Sequence, residues 1–302
     1  MSAKFIGQGC GKFIVFGEHA VVYGRPALAS SLPHGAQATL KRSEQPGWKA
    51  GHRGGMLEPD EQVRQAIEAL LAVFDLSSDE LEVELEITIP LGAGLGSSAA
   101  MSVALARGAA KLCGMEGPRA AEAVDRAVAA SEAVFHGNAS GIDQRAACGD
   151  GFLRFQRHGD ETRFETIDVP PYQWVVAQVA PSESTAKMVS DVAALHGRQQ
   201  SIVDRLFDDM ALITDAGKEA LIEGRWQEAG ELMNLNQGLL NALGVSSPVL
   251  ESACQAARDA GALGAKLTGA GGGGCIIALG DPQDKVTEAL NEFGPVFSFQ
   301  PT

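Results

Sequence analysis

One short stretch of this chain concentrates groups that bind phosphate. Residues 90–100 read PLGAGLGSSAA, with glycines at 92, 94 and 96 followed by two serines. Glycine lets a backbone close around an anion without Cβ clashes, so that successive N–H groups converge on phosphate oxygens. The alanine-rich run after it predicts a helix from about Ser97 to Leu112. The start of that helix adds free N–H donors and the positive end of its dipole. Ser97 and Ser98 would place hydroxyls where a triphosphate or its counter-cation lies. A plain strand-to-helix turn needs neither three glycines nor two serines, so the segment is expected to cradle phosphate.

Two commoner phosphate loops are excluded. A GxxxxGK loop followed by Ser or Thr is missing: the Gly-Lys pairs are Gly11-Lys12 and Gly217-Lys218, and neither has the upstream glycine or the hydroxyl. A dinucleotide GxGxxG fails at 92–97, where the last position is Ser97. Gly269, Gly271 and Gly274 satisfy that spacing, but the residues after them read as a strand rather than a helix.

Two carboxylates stand out downstream. Val124, Val128 and Glu132 recur every four residues on one predicted helix, so Glu132 continues an apolar stripe. A buried carboxylate is costly unless paired or bound to a metal, although a solvated position at the helix end fits the residues equally well. Asp143, in a Gly- and Ser-rich loop after that helix, is either a turn residue or a chemical group. Five scattered cysteines (10, 113, 148, 254 and 275) form no CxxC pair, and six histidines show no metal spacing. This argues against disulfide scaffolding and structural zinc, and for a reduced cytoplasm.

The elements that must position these groups can be read from periodicity. Residues 11–17 and 36–40 read as strands, and the polar, Gly-rich stretch from Gln45 to Gly55 reads as a loop. Residues 61–74 keep helical spacing behind Asp60, a suitable N-cap. Residues 81–89 alternate strictly, with Leu81, Val83, Leu85, Ile87 and Ile89 on one face and Glu82, Glu84, Glu86 and Thr88 on the other. That is a strand with one wet side, which favours an antiparallel or mixed sheet. A helix is expected near Pro118, a hairpin over 151–169, and a boundary at Pro170-Pro171. Beyond it the order is a strand at 174–179, helices between about 187 and 243 broken near Gly197 and Gly224, then helix, strand, glycine run, strand, helix and strand. The formal charge, 24 − 38 = −14, repels nucleic acid and anionic lipid, so neither is an expected partner. No run approaches the ~20 apolar residues of a membrane span.

PxxxGLGSSAA is similar to the signature of the GHMP kinases. Two further segments strengthen the resemblance: GKFIVFGEHAVVYG at 11–24 and KLTGAGGGGC at 266–275, in the family's order and spacing. Within that superfamily, residues 17–24, the run FHGNASGID at 135–143 and the run NALGVS at 241–246 look most like the mevalonate kinases. The chain departs from the pattern at Cys10 and Ala139, where proline is usual, and at Gln144, where asparagine is common. The resemblance implies an α+β, two-lobed fold. Its N-terminal lobe, over 1–169, would be ribosomal-S5-like, its C-terminal lobe, over 170–302, would be ferredoxin-like α/β, and ATP would lie in the cleft between them. It implies ATP-dependent phosphorylation of the 5-hydroxyl of mevalonate to 5-phosphomevalonate, with Mg²⁺, by a cytoplasmic monomer or homodimer. The alternatives are another GHMP small-molecule kinase, such as one for phosphomevalonate, or a non-catalytic ATP sensor on the same fold. By the same resemblance, Pro90, Gly92, Ala93, Gly94, Leu95, Gly96, Ser97, Ser98 and Ala99 bind ATP. Ser98 and Glu132 hold the metal, Asp143 and Lys12 are catalytic, and Glu18, His19, Thr268, Gly269 and Ala270 face the substrate.

Overall fold

Two long strands organise the N-terminal region: β1 (Phe5–Phe16) and β2 (Ala27–Arg42), which pair with each other. The computed structural model describes residues 3–52, 55–58, 60–136, 142–159, 161–280 and 283–301. It divides into two compact units, one comprising residues up to Lys12, Ser31–Pro90 and Gly96–Gly149, the other Phe13–Ser30, Leu91–Leu95 and residues from Asp150 onward.

In the first unit the second part of β2 carries a mixed sheet. After β2 come β3 (Gly47–His52), β4 (Gly55–Leu57), helix α1 (Glu61–Ala72) and β5 (Leu81–Ile87). β5 pairs antiparallel with β2, Ala36 opposite Ile87, and parallel with β3, Gly47 opposite Glu82. Its alternation is realised: Leu81, Val83, Leu85 and Ile87 are buried while Glu82, Glu84 and Glu86 reach solvent, and Lys41 Nζ meets Glu82 at 2.7 Å on the wet face. The loop expected over 45–55 is corrected, since residues 47–52 are a strand and another begins at Gly55. Composition concealed it because the strand is fixed by its partner. Gly51 leaves room for the Glu86 carboxylate, which a Cβ there would meet at 2.2 Å and push aside.

Among the described residues, four α-helices complete this unit. Asp60 caps α1 by accepting from Val63 N at 2.9 Å. α2 (Ser97–Leu112), α3 (Gly117–His136) and the short α4 (Ile142–Ala147) follow, and α3 packs on both α1 and α2. α2 lies almost directly on the backbone of β1: a Cβ added at Gly9 would stand 2.1 Å from the Ala100 carbonyl oxygen. The buried hydroxyls of Ser102 and Ser131 share a 2.9 Å hydrogen bond that fixes α2 against α3.

In the second unit the hairpin β6 (Phe152–His158) and β7 (Glu161–Ile167) pairs through β6 with the first part of β2, Ala27 opposite Phe155. Next come β8 (Trp174–Ala180), α5 (Thr185–Arg198), α6 (Gln200–Ile222), α7 (Trp226–Ala242) and α8 (Pro248–Asp259). The chain ends in β9 (Gly264–Thr268), β10 (Gly274–Leu279), α9 (Gln283–Asn291) and β11 (Val296–Phe299). β11, β8, β10 and β9 form, in that order, a four-stranded antiparallel sheet. Its core joins Val175, Ala177 and Ile276 to Phe207, Met210, Leu240 and Leu250 from the helices. Trp174, 1% exposed, sits in an aromatic cluster, 5.3 Å from Phe13 and 6.1 Å from Phe152 between ring centres. Trp226 stacks on Tyr172 at 4.3 Å. The chain is thus α+β, as the family resemblance implied, and the wet-faced strand lies in a mixed sheet as expected. Among the described residues no helix is long and apolar enough to cross a membrane.

Candidate active site

The phosphate loop takes the backbone shape its glycines allow. Gly92, Gly94 and Gly96 have φ of 66°, 80° and 71°, left-handed values that side-chain-bearing residues rarely adopt. Between them Ala93 and Leu95 are buried, at 2% and 1% exposure, and anchor the loop. A Cβ added at Gly92 would meet nothing within 4 Å, so the backbone there faces open space. Pro90 and Ala99 are buried at the two ends, and Ser97 and Ser98 are half-buried in the first turn of α2. The N-cap is Gly96, which brings no side chain to the first-turn N–H groups and leaves them as donors for an anion.

Gly96 has a second function, because a Cβ on it would lie 2.9 Å from Lys12 Cγ. Lys12, 7% exposed, passes there and brings its Nζ to 3.2 Å from Asp143 Oδ1. The lysine side chain is 9% exposed and the aspartate 39%, so the cation is buried while the carboxylate remains reachable. Asp143 lies in the first turn of α4, not in a loop as expected. Residues 137–141, the rest of the expected Gly- and Ser-rich loop, lie outside the described residues. Residues 144–147 (Gln-Arg-Ala-Ala) are adequate helix formers. Ser31 Oγ donates to the Ala146 carbonyl at 2.7 Å and Gln144 Nε2 to Asp125 Oδ1 at 3.1 Å, which hold the helix in place. Glu132 is buried at 3% exposure, which removes the solvated alternative. Its carboxyl is pushed up to about 7, by burial first and then by the nearby Asp143 charge, while the Ser98 hydroxyl donates to it and opposes the rise.

A second constellation forms around Glu18 and His19. His19 has φ of 61°, unusual for a residue with a Cβ, and is 6% exposed. Its Nε2–H donates to the Ala270 carbonyl at 2.8 Å. Burial lowers its pKa below the ordinary 6.5, so the ring is neutral near pH 7 and Nδ1 is an acceptor. Thr268 is tied to β1 twice: Ile14 N donates to Thr268 Oγ1 at 2.7 Å, and Thr268 Oγ1 donates to Ile14 O at 3.0 Å. Gly269 meets the first part of the phosphate loop, and a Cβ on it would stand 3.5 Å from Gly94 Cα.

Sequence reasoning assigned no role to Lys266, Asn236, Gln237 or the Ser102–Ser131 pair. Lys266 is fully buried and pairs with Glu18. Asn236 Nδ2 donates to Glu18 Oε2 at 3.1 Å, and Gln237 Oε1 accepts from Leu267 N at 2.8 Å. The available signal for Lys266 was that it is the one charged residue in the apolar, glycine-rich stretch from 260 to 280.

Comparison with known proteins identifies the family. Residues 61–151 match the GHMP kinases N terminal domain, and residues 218–296 the GHMP kinases C terminal region. A mevalonate kinase of Thermococcus gammatolerans is 34% identical over 94% of this chain and 91% of its own length. One of Thermococcus onnurineus is 35% identical over the same shares. Among solved structures, L. major mevalonate kinase in complex with R-mevalonate superposes with a TM-score of 0.86 at 29% identity, covering 100% of this chain and 97% of that one. With similarity of this extent along almost the whole length, the chain belongs to the mevalonate kinase family of the GHMP kinases.

Proposed function

We propose that the chain transfers the γ-phosphoryl group of ATP to the 5-hydroxyl of mevalonate, giving 5-phosphomevalonate and ADP. The observation that carries the reading is the 3.2 Å approach of Lys12 Nζ to Asp143 Oδ1. Phosphoryl transfer asks mainly for positioning and charge neutralisation. The new bond joins the substrate oxygen to the γ-phosphorus, the bond to the β,γ-bridging oxygen breaks, and ADP leaves with that electron pair. Asp143, the more exposed of the two partners, orients the hydroxyl and receives its proton. The Lys12 ammonium beside it stabilises the developing alkoxide. The loop from Pro90 to Ala99 holds the triphosphate through backbone N–H groups, and His19 with Thr268, Gly269 and Ala270 serves the substrate side.

Mg²⁺ fits the residues present. Among the described residues no group of three or more His, Cys, Asp or Glu could hold a metal alone. Ser98 and the buried Glu132 offer a hydroxyl and a carboxylate, and Mg²⁺ ordinarily completes such a set with water and substrate phosphate oxygens. Glu132 and Ser98 would hold the ion, which when bound neutralises phosphate charge.

Coupled detection of ADP release, run with mevalonate, phosphomevalonate, galactose and homoserine, tests the reading. The largest kcat/KM is expected for mevalonate. A larger value for any of the other three overturns the substrate, and ATP binding with no turnover on any alcohol overturns the kinase.

A further inference from the structure

Glu18 is placed where a substrate contact is expected, yet the protein uses both of its oxygens. Its carboxylate is 1% exposed. Oε1 meets Lys266 Nζ, itself fully buried on β9, and Oε2 accepts from Asn236 Nδ2 at 3.1 Å on α7. Lys266 Nζ also donates to the Leu267 carbonyl at 2.6 Å. Burial pulls the Lys266 ammonium below the usual lysine range, and the Glu18 charge pulls it back. Asn236 is 0% exposed, and its Oδ1 has no hydrogen-bond partner among the described residues. The neighbouring Gln237 accepts from Leu267 N at 2.8 Å and donates to Ser246 Oγ at 3.1 Å and Glu251 Oε1 at 2.8 Å. Adjacent residues of α7 therefore grip Glu18 and β9 together.

The next residue in the chain, His19, gives this grip a purpose. It holds a left-handed backbone that a non-glycine residue keeps only when its surroundings over-determine it. Its ring is tied to Ala270, four residues beyond Lys266. A buried ion pair is a poor device for stability alone, because hydrophobic residues of the same volume do as well or better. It does fix geometry, since neither partner can leave without stranding the other.

We propose that Lys266 and Asn236 are positioning residues for the phosphoryl acceptor: they hold Glu18 inside the protein so that His19 is fixed against Ala270 with Nδ1 turned to the substrate, and Glu18 itself touches no substrate. This rests on the kinase reading above and adds to it how its acceptor side is held. It separates two residues that the sequence motif presents as equals, His19 being the one in contact and Glu18 the one behind it.

The test uses the full chain and four proteins: wild type, Glu18→Gln, Lys266→Met, and the double variant E18Q/K266M. Folding is followed by near-UV circular dichroism, and KM for mevalonate, KM for ATP and kcat by ADP release. The double variant buries no lone charge and so folds even where Lys266→Met does not. Lys266→Met, or Glu18→Gln in its place, is expected to lose about 10²-fold in kcat/KM for mevalonate, the scale of a small misplacement, with KM for ATP little changed. The double variant is expected to recover part of that loss, because residues acting as one unit are not additive. Folded variants with wild-type kcat/KM for mevalonate overturn the proposal, as does a double variant as impaired as the sum of its singles. Wild type that turns over a different alcohol sinks the substrate reading alone, and the same comparison is then made with that alcohol.

Discussion

Asp143 and Glu132 are two carboxylates with opposite surroundings. Asp143 is reachable and beside a cation, whereas Glu132 is buried, pushed up to about 7, and hydrogen-bonded by Ser98. A group that must meet an incoming hydroxyl fits the first description, and a group that waits for a cation fits the second. Asp143→Asn is therefore expected to lower kcat by about 10²–10⁴-fold, the usual contribution of proton transfer to a side chain. ATP affinity, measured by calorimetric titration, should stay near wild type, because none of the glycine-loop contacts involves Asp143. Lys12→Met should do more damage than Asp143→Asn, and the double variant should lose less than the two losses combined. An Asp143→Asn protein that turns over like wild type would show that the carboxylate has been misassigned. Ser98 and Glu132 were legible in the sequence as candidates, the one from the glycine loop and the other from its helical stripe, while Lys12 and the role of Asp143 were legible only through the family resemblance. Lys266 was not, because its partner Glu18 lies 248 positions away, and no local pattern announces a pair of that separation.

At the scale of elements, the position of α2 decides where Ser97 and Ser98 stand. That position depends on glycines in β1, which leave the helix room to rest on the strand backbone. Gly9→Ala would place a Cβ 2.1 Å from the Ala100 carbonyl oxygen. The helix must shift or the strand must bend, at a cost of about 1–3 kcal/mol for overpacking. The urea midpoint is expected to fall and ATP affinity to weaken with it, because α2 begins at the proposed triphosphate site. Gly47→Ala on β3 is the control, since a Cβ there meets nothing within 4 Å, and it should leave both measurements near wild type. Elements with their own periodicity were readable: α2 spans the expected 97–112, and β5 shows the expected alternation. β3 was not, because Gly47, Lys49, Gly51 and His52 carry no strand pattern and the segment becomes one only through its pairing with β5. α4 was hidden for a related reason: its six residues are too short for a periodic signal, and contacts from Ser31 and Asp125 hold it.

For the whole molecule, the path of the chain matters more than the lengths of its halves. It passes from one compact unit to the other after Lys12, Ser30, Pro90, Leu95 and Gly149. The unit built on the four-stranded sheet therefore draws on Phe13–Ser30 and Leu91–Leu95 as well as on the C-terminal residues. Phe13 and Phe152 pack on Trp174, and Ile14 bonds to Thr268. A fragment of residues 170–302 lacks all three of these partners of Trp174 and Thr268. Expressed alone, it is expected to show no cooperative thermal transition by circular dichroism, while the full chain does. A cooperative transition in the isolated fragment would mean that the sheet and its helices close their core without the N-terminal segments.

The three tryptophans are distributed in a way that gives the protein its own pair of optical reporters. Trp48 stands on β3 in one unit, while Trp174 and Trp226 belong to the other. Trp174, sealed among phenylalanine rings, emits from an apolar surrounding, whereas the half-buried Trp48 senses water. Replacing Trp226 by phenylalanine, which keeps a ring on Tyr172, leaves a single tryptophan in each unit. Their emission colours then differ by environment, so changes in each unit can be followed separately without any added dye.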